Sequence, residues 1–154
     1  MKYTAKVTWR KRATENFIDL RYSRVHEWSF DGGSVISASS SPHVVPLPMS
    51  DASLVDPEES FIASLSSCHM LFFLSIAAKR KFVVESYEDN AEGIMGKNSE
   101  GKTAMLSVVL NPKIIFSGTN IPSVEEIEQI HELSHEECFI ASSVKTKIEI
   151  NLNG

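Results

Sequence analysis

The sequence predicts an α+β domain in which antiparallel strands pack on one long, buried central helix. Residues 2–10 alternate polar and apolar side chains, which is the pattern of a half-buried strand. Residues 60–78 contain no Asp, Glu, Lys or Arg and follow a strong helix-start signal. Two long strand candidates come next, and the turn-forming segment between them favours antiparallel pairing.

The N-terminal third is predicted to be mainly extended. After the first strand, residues 16–28 form a second candidate, whose even-numbered face carries Ile18, Leu20, Tyr22, Arg24, His26 and Trp28. Arg24 therefore shares a face with apolar side chains. Asp31-Gly32-Gly33 marks a turn before a third short strand at residues 34–39, and three prolines make residues 42–48 a loop.

The central helix is predicted to run from its N-cap, Asp56, to about Arg80. Pro57 suits the first helical position, and Glu59 completes a capping box with Asp56. The uncharged stretch is long enough to cross a bilayer. However, five serines and His69 dilute it, and the rest of the chain has the amphipathic pattern of a soluble domain. We therefore predict a buried core helix and no membrane span.

The C-terminal half is predicted to hold a hairpin, a second helix and a last strand. Residues 83–96 and 103–116 are strand candidates on either side of a turn at residues 97–101. Ser123 and Glu126 form another capping box, which opens a helix that ends near Cys138. Its buried residues are predicted to be Ile127, Ile130 and Leu133. Residues 144–152 alternate as a final strand.

Size and charge narrow the class of protein. The 154 residues, 42% of them hydrophobic, fit a single domain over residues 1–154. A formal net charge of -5 provides no basic surface for nucleic acid. The N-terminus has no signal-peptide pattern, so we expect a cytoplasmic protein. A single sheet cannot bury the whole surface of so apolar a helix, and dimerisation would bury the part that remains exposed.

The two cysteines are the candidate reactive groups. In a reducing compartment they are expected to be free thiols or a functional redox pair. Cys68 lies in the middle of the apolar helix and Cys138 at a helix-to-strand junction, and either could be a core residue only. Arg24 is the best-placed cation to stabilise a thiolate. Glu58 would lie about 15 Å from Cys68 along one helix, so it could act only across a subunit interface.

Histidines offer a metal site as an alternative. Cys68-His69 and His135-x-x-Cys138 could together supply four ligands, but adjacent ligands fit one tetrahedral zinc ion poorly. We therefore expect no metal. His43 in the proline-rich loop could line a pocket or be solvated.

The combined pattern resembles the OsmC/Ohr superfamily, the osmotically inducible protein C and organic hydroperoxide resistance proteins. The resemblance covers nearly the whole chain, and its motifs are Asp56-Pro57-Glu58-Glu59, then Cys68 ten residues after Glu58, then His135-Glu136-Glu137-Cys138. The chain departs from the best-studied branches at residues 26–33 and 41–46, and Phe139-Ile140 follows Cys138 where the peroxidase branches usually have Pro and an aromatic residue. It is therefore similar to a less characterised branch.

The resemblance implies an OsmC-like fold and an intertwined homodimer with active sites at the interface. In it a reactive cysteine, here Cys68, and a resolving cysteine, here Cys138, meet an Arg and a Glu from the partner chain. Glu58 carries over by its motif. The family's branches supply the arginine from different strands, so Arg24 is the first choice and Arg21 the reserve.

The function implied by the resemblance is a thiol-dependent peroxidase for organic hydroperoxides. Cys68 would become a sulfenic acid, and Cys138 would resolve it to a disulfide. No bound cofactor is expected, and an external lipoyl-type dithiol would reopen the disulfide. The alternatives are a non-catalytic ligand-binding or redox-sensing protein and a Cys-dependent hydrolase with His69 or His135 as base.

Overall fold

The computed structural model of the protein describes residues 1–152 and has the predicted α+β class. The chain forms two compact units, Met1–Ser60 and the part from Phe61 onward. Across residues 1–152 it contains eight strands and two α-helices, together with two single-turn 3₁₀ helices. The assignment of residues 1–154 to a single domain stays a prediction.

The first unit contains a three-stranded antiparallel sheet of β1 (Ala5–Thr8), β2 (His26–Phe30) and β3 (Val35–Ala38). The central strand is β2, and its Trp28 lies opposite Val7 on one side and Ile36 on the other. The turn predicted at Gly32 and Gly33 joins β2 to β3, and Gly33 has a φ of 89° there. Glycine adopts this left-handed conformation without the steric cost that a Cβ would impose.

The predicted strand at residues 16–28 is wrong over most of its length. The side chain of Asn16 accepts a hydrogen bond from the backbone of Ile18 and caps a 3₁₀ helix at Phe17–Asp19. Leu20 then turns left-handed, with a φ of 62°. Local side-chain bonds of this kind compete with strand formation. Arg24 therefore lies in an irregular segment before β2, where its backbone N–H donates to the carbonyl of Met49.

Helix α1 (Pro57–Lys79) confirms the predicted start. The Glu59 N–H donates to Asp56 Oδ1 at 2.8 Å, and the Asp56 N–H donates to Glu59 Oε2 at 3.2 Å, which is a complete capping box. One stripe of the helix is fully buried: Leu65, His69, Phe73 and Ala77. The opposite face is exposed and includes Leu71, 62% exposed.

The length and composition of α1 would suit a membrane span. Its buried stripe nevertheless packs into hydrophobic clusters of the unit that begins at Phe61. Leu65 packs with Val108 and Leu110, and Phe73 packs with Phe82 and Ile130. The helix is therefore a core helix, as predicted, and its buried stripe forms one face.

The second unit holds two more sheets. Its strands are β4 (Val83–Asp89), β5 (Glu92–Lys97), β6 (Thr103–Leu110), β7 (Pro112–Ser117) and β8 (Lys147–Ile150). β4 pairs with β7, and the other sheet has the order β5-β6-β8. The predicted turn at residues 97–101 joins β5 to β6 as an antiparallel hairpin.

Each of the two long predicted strands is divided into two. The first divides between Asp89 and Glu92 and the second at Asn111, so that their halves belong to different sheets. Asp89 Oδ1 accepts a hydrogen bond from the backbone N–H of Asn111, and the Asn111 side chain donates to the carbonyl of Asn90. These bonds tie the two breaks together, which is why both strands change sheet at the same place.

The prediction of antiparallel sheets is wrong at β8, which pairs with β6 in parallel. Parallel neighbours require a long crossover connection. The chain supplies one, because β7 and helix α2 (Val124–Glu137) lie between β6 and β8.

Helix α2 confirms the second capping box, formed by Ser123 and Glu126. Its fully buried residues are Ile130, His131 and Ser134, with Ile127 partly buried. Leu133, predicted to be buried, is 37% exposed. The apolar pattern misplaced the buried face because two of its three fully buried residues are polar.

Candidate active site

Cys68 lies in the fourth turn of α1, one residue before His69 of the buried stripe. Consecutive helical residues differ in direction by about 100°, so Cys68 lies at the margin of the buried face and is half-buried. It lines an open groove of about 490 Å³ whose other lining residues are Ser64, Ser67, Leu71, Phe72, Ser75, Phe139 and Ile140. The thiol therefore faces a mainly apolar space that a small molecule can enter.

The Cys138 side chain is fully buried at the C-cap of α2. It lies next to the Cys68 side chain, and its Sγ accepts a bond from the Ala141 N–H at 3.4 Å. Burial raises the pKa of Cys138 to about 11, and the neighbouring Cys68 thiol adds to the rise. Both cysteines are free thiols. The structure thus brings the two predicted cysteines together and gives them different surroundings.

The residue after Cys138 forms part of the groove wall. The Phe139 ring meets the Phe72 ring edge-on, with centroids 5.1 Å apart and planes at 89°. This is a favourable aromatic arrangement. Phe139 nevertheless remains 67% exposed, so this wall borders both the groove and the solvent.

Arg24 and Glu58 line a second groove, which lies within the unit Met1–Ser60 and has a volume of about 600 Å³. Its other lining residues are Val7, Trp9, Phe17, Tyr22, His26, Ser40, Val45 and Pro57. The guanidinium of Arg24 lies over the ring of Tyr22, 3.6 Å from its centroid. Arg24 Nη1 also donates to the backbone carbonyls of Leu20 and Tyr22.

Arg24 and Glu58 share this groove without forming an ion pair. In residues 1–152 the ion pairs are Lys102 with Glu100 and Lys147 with Glu149. Oε2 of Glu58 is buried and has no hydrogen-bond partner in that part of the chain. Arg21, the reserve choice, is exposed and does not line the groove. The catalytic roles of Arg24, Arg21 and Glu58 stay predictions.

A buried histidine pair is the feature that the sequence reasoning missed. His69 Nε2 and His131 Nδ1 are 3.0 Å apart, and the rings stack at 7° with centroids 5.3 Å apart. Burial lowers the pKa of His69 to about 3 and that of His131 to about 4. The sequence did contain a signal for the burial of His131, because this residue follows Ile127 by four positions and so lies on the same face of α2.

The other three histidines are more exposed than this pair. His135 and His43 are exposed, and His26 Nδ1 lies 2.8 Å from the carbonyl oxygen of Arg24. Among residues 1–152, no group of three or more His, Cys, Asp or Glu side chains could hold a metal ion. The zinc set formed by Cys68, His69, His135 and Cys138 is thus not assembled in the described chain.

Comparisons with known proteins agree with the motifs. A family model described as OsmC-like protein matches residues 50–153. An OsmC-like protein of unknown function from Vibrio cholerae is 57% identical, with 98% of each chain covered and a TM-score of 0.97. A search of curated proteins found no match.

Two more distant structures share the fold. An organic hydroperoxide resistance protein from Elizabethkingia anophelis is 18% identical, with 97% of this chain and 94% of that chain covered and a TM-score of 0.66. The organic hydroperoxide resistance protein OhrB of Bacillus subtilis is also 18% identical, with 97% and 98% covered and a TM-score of 0.62. At this identity the likeness concerns the fold alone.

The unequal surroundings of the two thiols predict unequal alkylation. With a pKa of about 11, Cys138 is a thiolate to only about one part in a thousand at pH 8, and its sulfur is fully buried. Iodoacetamide should therefore modify Cys68 first in the native protein, as read by peptide mass spectrometry. Unfolding in urea should remove the difference, and equal native rates would contradict the assignment.

The histidine pair predicts a loss of stability in acid. In the unfolded chain both rings take up a proton near the ordinary pKa of 6.5, whereas in the folded protein they stay neutral down to a pH of about 4 or 3. The contribution is therefore complete above pH 6.5 and is lost as pH falls, by up to about 1.4 kcal/mol per pH unit for each ring. Urea unfolding at a series of pH values measures it.

The control for this prediction is the double variant His69→Gln/His131→Asn, which has no titrating ring at either position. Its free energy of unfolding should fall less steeply between pH 6.5 and pH 4 than that of the wild type. Equal slopes would mean that the buried histidines do not cause the acid sensitivity.

Proposed function

The chain belongs to the OsmC-like protein family, and from this premise we propose that it is a thiol-dependent peroxidase that reduces organic hydroperoxides. The observation that carries the proposal is the adjacent thiol pair at an apolar groove. Cys68 is half-buried and lines the groove, whereas Cys138 is fully buried and lies next to Cys68.

The roles of the two cysteines follow from their surroundings. Burial keeps Cys138 protonated at neutral pH, with a pKa of about 11, and hides its sulfur from the groove. Cys138 is therefore unsuited to attack an incoming peroxide. Cys68 opens to the groove and is the nucleophile in our proposal.

The first step breaks the O–O bond of the hydroperoxide. The Cys68 thiolate attacks one peroxide oxygen, the alkoxide leaves and takes up a proton, and the products are an alcohol and a sulfenic acid on Cys68. Two electrons pass from sulfur to the peroxide. The apolar lining, with Leu71, Phe72 and Phe139, favours an organic substrate over hydrogen peroxide.

The second step forms a disulfide. The sulfur of Cys138 attacks the sulfenic sulfur of Cys68, the hydroxyl group leaves, and the thiol proton of Cys138 joins it as water. An external dithiol then reduces the disulfide by exchange, and a lipoyl-type compound is the proposed reductant. The protein's own residues supply the redox chemistry, so the proposal includes no bound cofactor.

We further propose that Arg24 and Glu58 act from a second copy of the chain, in an intertwined homodimer. Oε2 of Glu58 is buried without a hydrogen-bond partner in residues 1–152, and Arg24 donates through Nη1 to carbonyls, which leaves its other guanidinium nitrogens for a ligand or thiolate. A dimer would also cover exposed apolar residues such as Ile18, Leu71 and Phe139. We propose a cytoplasmic location for this dimer.

The second candidate is a non-catalytic protein that binds an apolar ligand or senses oxidants. The two grooves of about 490 and 600 Å³ support it, since both are large enough for a small molecule. The hydrolase alternative with His69 is disfavoured by the geometry. His69 Nε2 is bonded to His131, and His69 Nδ1 has no partner in residues 1–152, so Cys68 and His69 form no nucleophile-base pair.

A peroxide titration tests the proposal. One equivalent of cumene hydroperoxide should convert the wild type to an internal disulfide, with the loss of two thiols, because Cys138 lies against Cys68. Cys138→Ser should stop at a sulfenic acid on Cys68, and Cys68→Ser should consume no peroxide. Intact mass and free-thiol counts report all three. Survival of both wild-type thiols in excess peroxide would favour the binding protein.

Mixing two inactive variants tests the shared site. Arg24→Ala and Cys68→Ser should each lack activity as homodimers. After unfolding and refolding together, half of the dimers would be mixed and would hold one native site each, so about a quarter of wild-type activity should return. Arg21→Ala is the matched control and should be active by itself; an inactive Arg21→Ala that regains activity with Cys68→Ser, beside an active Arg24→Ala, would reassign the arginine. No recovery in either mixture would place the site within one chain.

A further inference from the structure

The buried histidine pair lies between the helices that carry the two thiols. His69 follows Cys68 on α1, and His131 precedes Cys138 by seven residues, or two turns, on α2. Residues two turns apart share a helix face. The polar contact and the thiol contact are therefore one residue apart on α1 and two turns apart on α2.

Three kinds of contact join the two helices. Phe73 and Ala77 pack with Ile130 in one hydrophobic cluster, His69 is hydrogen-bonded to His131, and the Cys68 thiol lies next to that of Cys138. On each helix the histidine lies in sequence between the apolar contact and the thiol contact.

We propose that the His69–His131 hydrogen bond is a positioning contact, which holds α1 and α2 at the separation at which Cys68 and Cys138 form a disulfide. In residues 1–152 it joins two buried side chains of α1 and α2, whereas the bond from Arg80, just beyond α1, to Gln129 is exposed. A directional bond at 3.0 Å fixes both distance and rotation, which apolar contacts at this junction leave freer. The inference rests on the proposed function for its role in turnover.

The surroundings of the two histidines preserve this hydrogen bond at neutral pH. The rings are only 1% and 3% exposed, and both stay neutral at neutral pH, so one ring donates N–H and the other accepts. The ionisable groups around them are Cys68, His135, whose charge further lowers the pKa of His69, and Lys113 and Glu128, which share a pocket with His131. None of these competes for the shared nitrogens in the structure.

The test measures the disulfide equilibrium with glutathione and uses no peroxide. Two protein thiols are oxidised to the disulfide as one glutathione disulfide is reduced to two thiols, so electrons and protons balance. The primary comparison is His69→Gln with His69→Asn. In His69→Gln the side-chain amide would lie near the position of the lost Nε2 and still reach His131, whereas in His69→Asn the amide is one methylene too short.

We expect His69→Gln to keep the equilibrium constant within about twofold of the wild type. His69→Asn and His69→Leu should lower it by about tenfold, which makes the potential of this two-electron couple about 30 mV less negative. Ser134→Ala and Ile130→Val are the controls. Ser134 bonds only within α2, to the Ile130 carbonyl, and Ile130 belongs to the apolar cluster, so both change the packing without touching the histidine bond.

Equal constants for His69→Gln and His69→Asn would overturn the inference, as would an equal loss in Ile130→Val, since that loss would reflect general loosening. Thermal unfolding verifies that each variant is folded. If His69→Leu does not fold, the comparison of His69→Gln with His69→Asn tests the inference without it. A wild type that forms no disulfide would overturn both proposals. A normal glutathione titration with no peroxide turnover would overturn the peroxidase alone.

Discussion

The packing of one face of α1 is the constraint on which the rest of the structure depends. Leu65 and Phe73 enter two separate hydrophobic clusters, and His69 lies between them in the same buried stripe. A helix that buries residues spaced by four has no rotational freedom left. Cys68 must then lie at the edge of that face, where it is half-buried and opens to a groove. The rotation of α1 thereby determines the accessibility of the thiol.

The same packing gives two chemically identical side chains different properties. Cys138 closes the end of α2 and is fully buried, so burial raises its pKa to about 11, while Cys68 meets the groove. Nucleophile and resolving thiol can therefore be adjacent without exchanging roles. In the first unit, Glu58 keeps a buried carboxylate oxygen without a partner in residues 1–152, which in a protein usually means that a further group completes the site.

The features that were predicted correctly are those encoded by residues close together in the sequence. The starts of α1 and α2 were predicted correctly because a capping box is made by residues three apart, such as Asp56 and Glu59. The β5–β6 turn was predicted because its residues adopt it locally. Cys68 and Cys138 were selected as the two thiols of the chain and by motif spacing, and the family model covers both, since it matches residues 50–153. The segment at 16–28 failed because Asn16 capped a 3₁₀ turn there.

The sequence by itself determined the α+β class, both helices, the family and the two cysteines, because caps, turns and motif spacing act over a few residues. Only the tertiary structure decided which strands pair, that β8 runs parallel to β6, and that His69 meets His131. These outcomes depend on contacts between residues far apart in the chain. The pattern of a single segment cannot specify them, since each is decided by which partner buries the most surface without leaving polar groups unpaired.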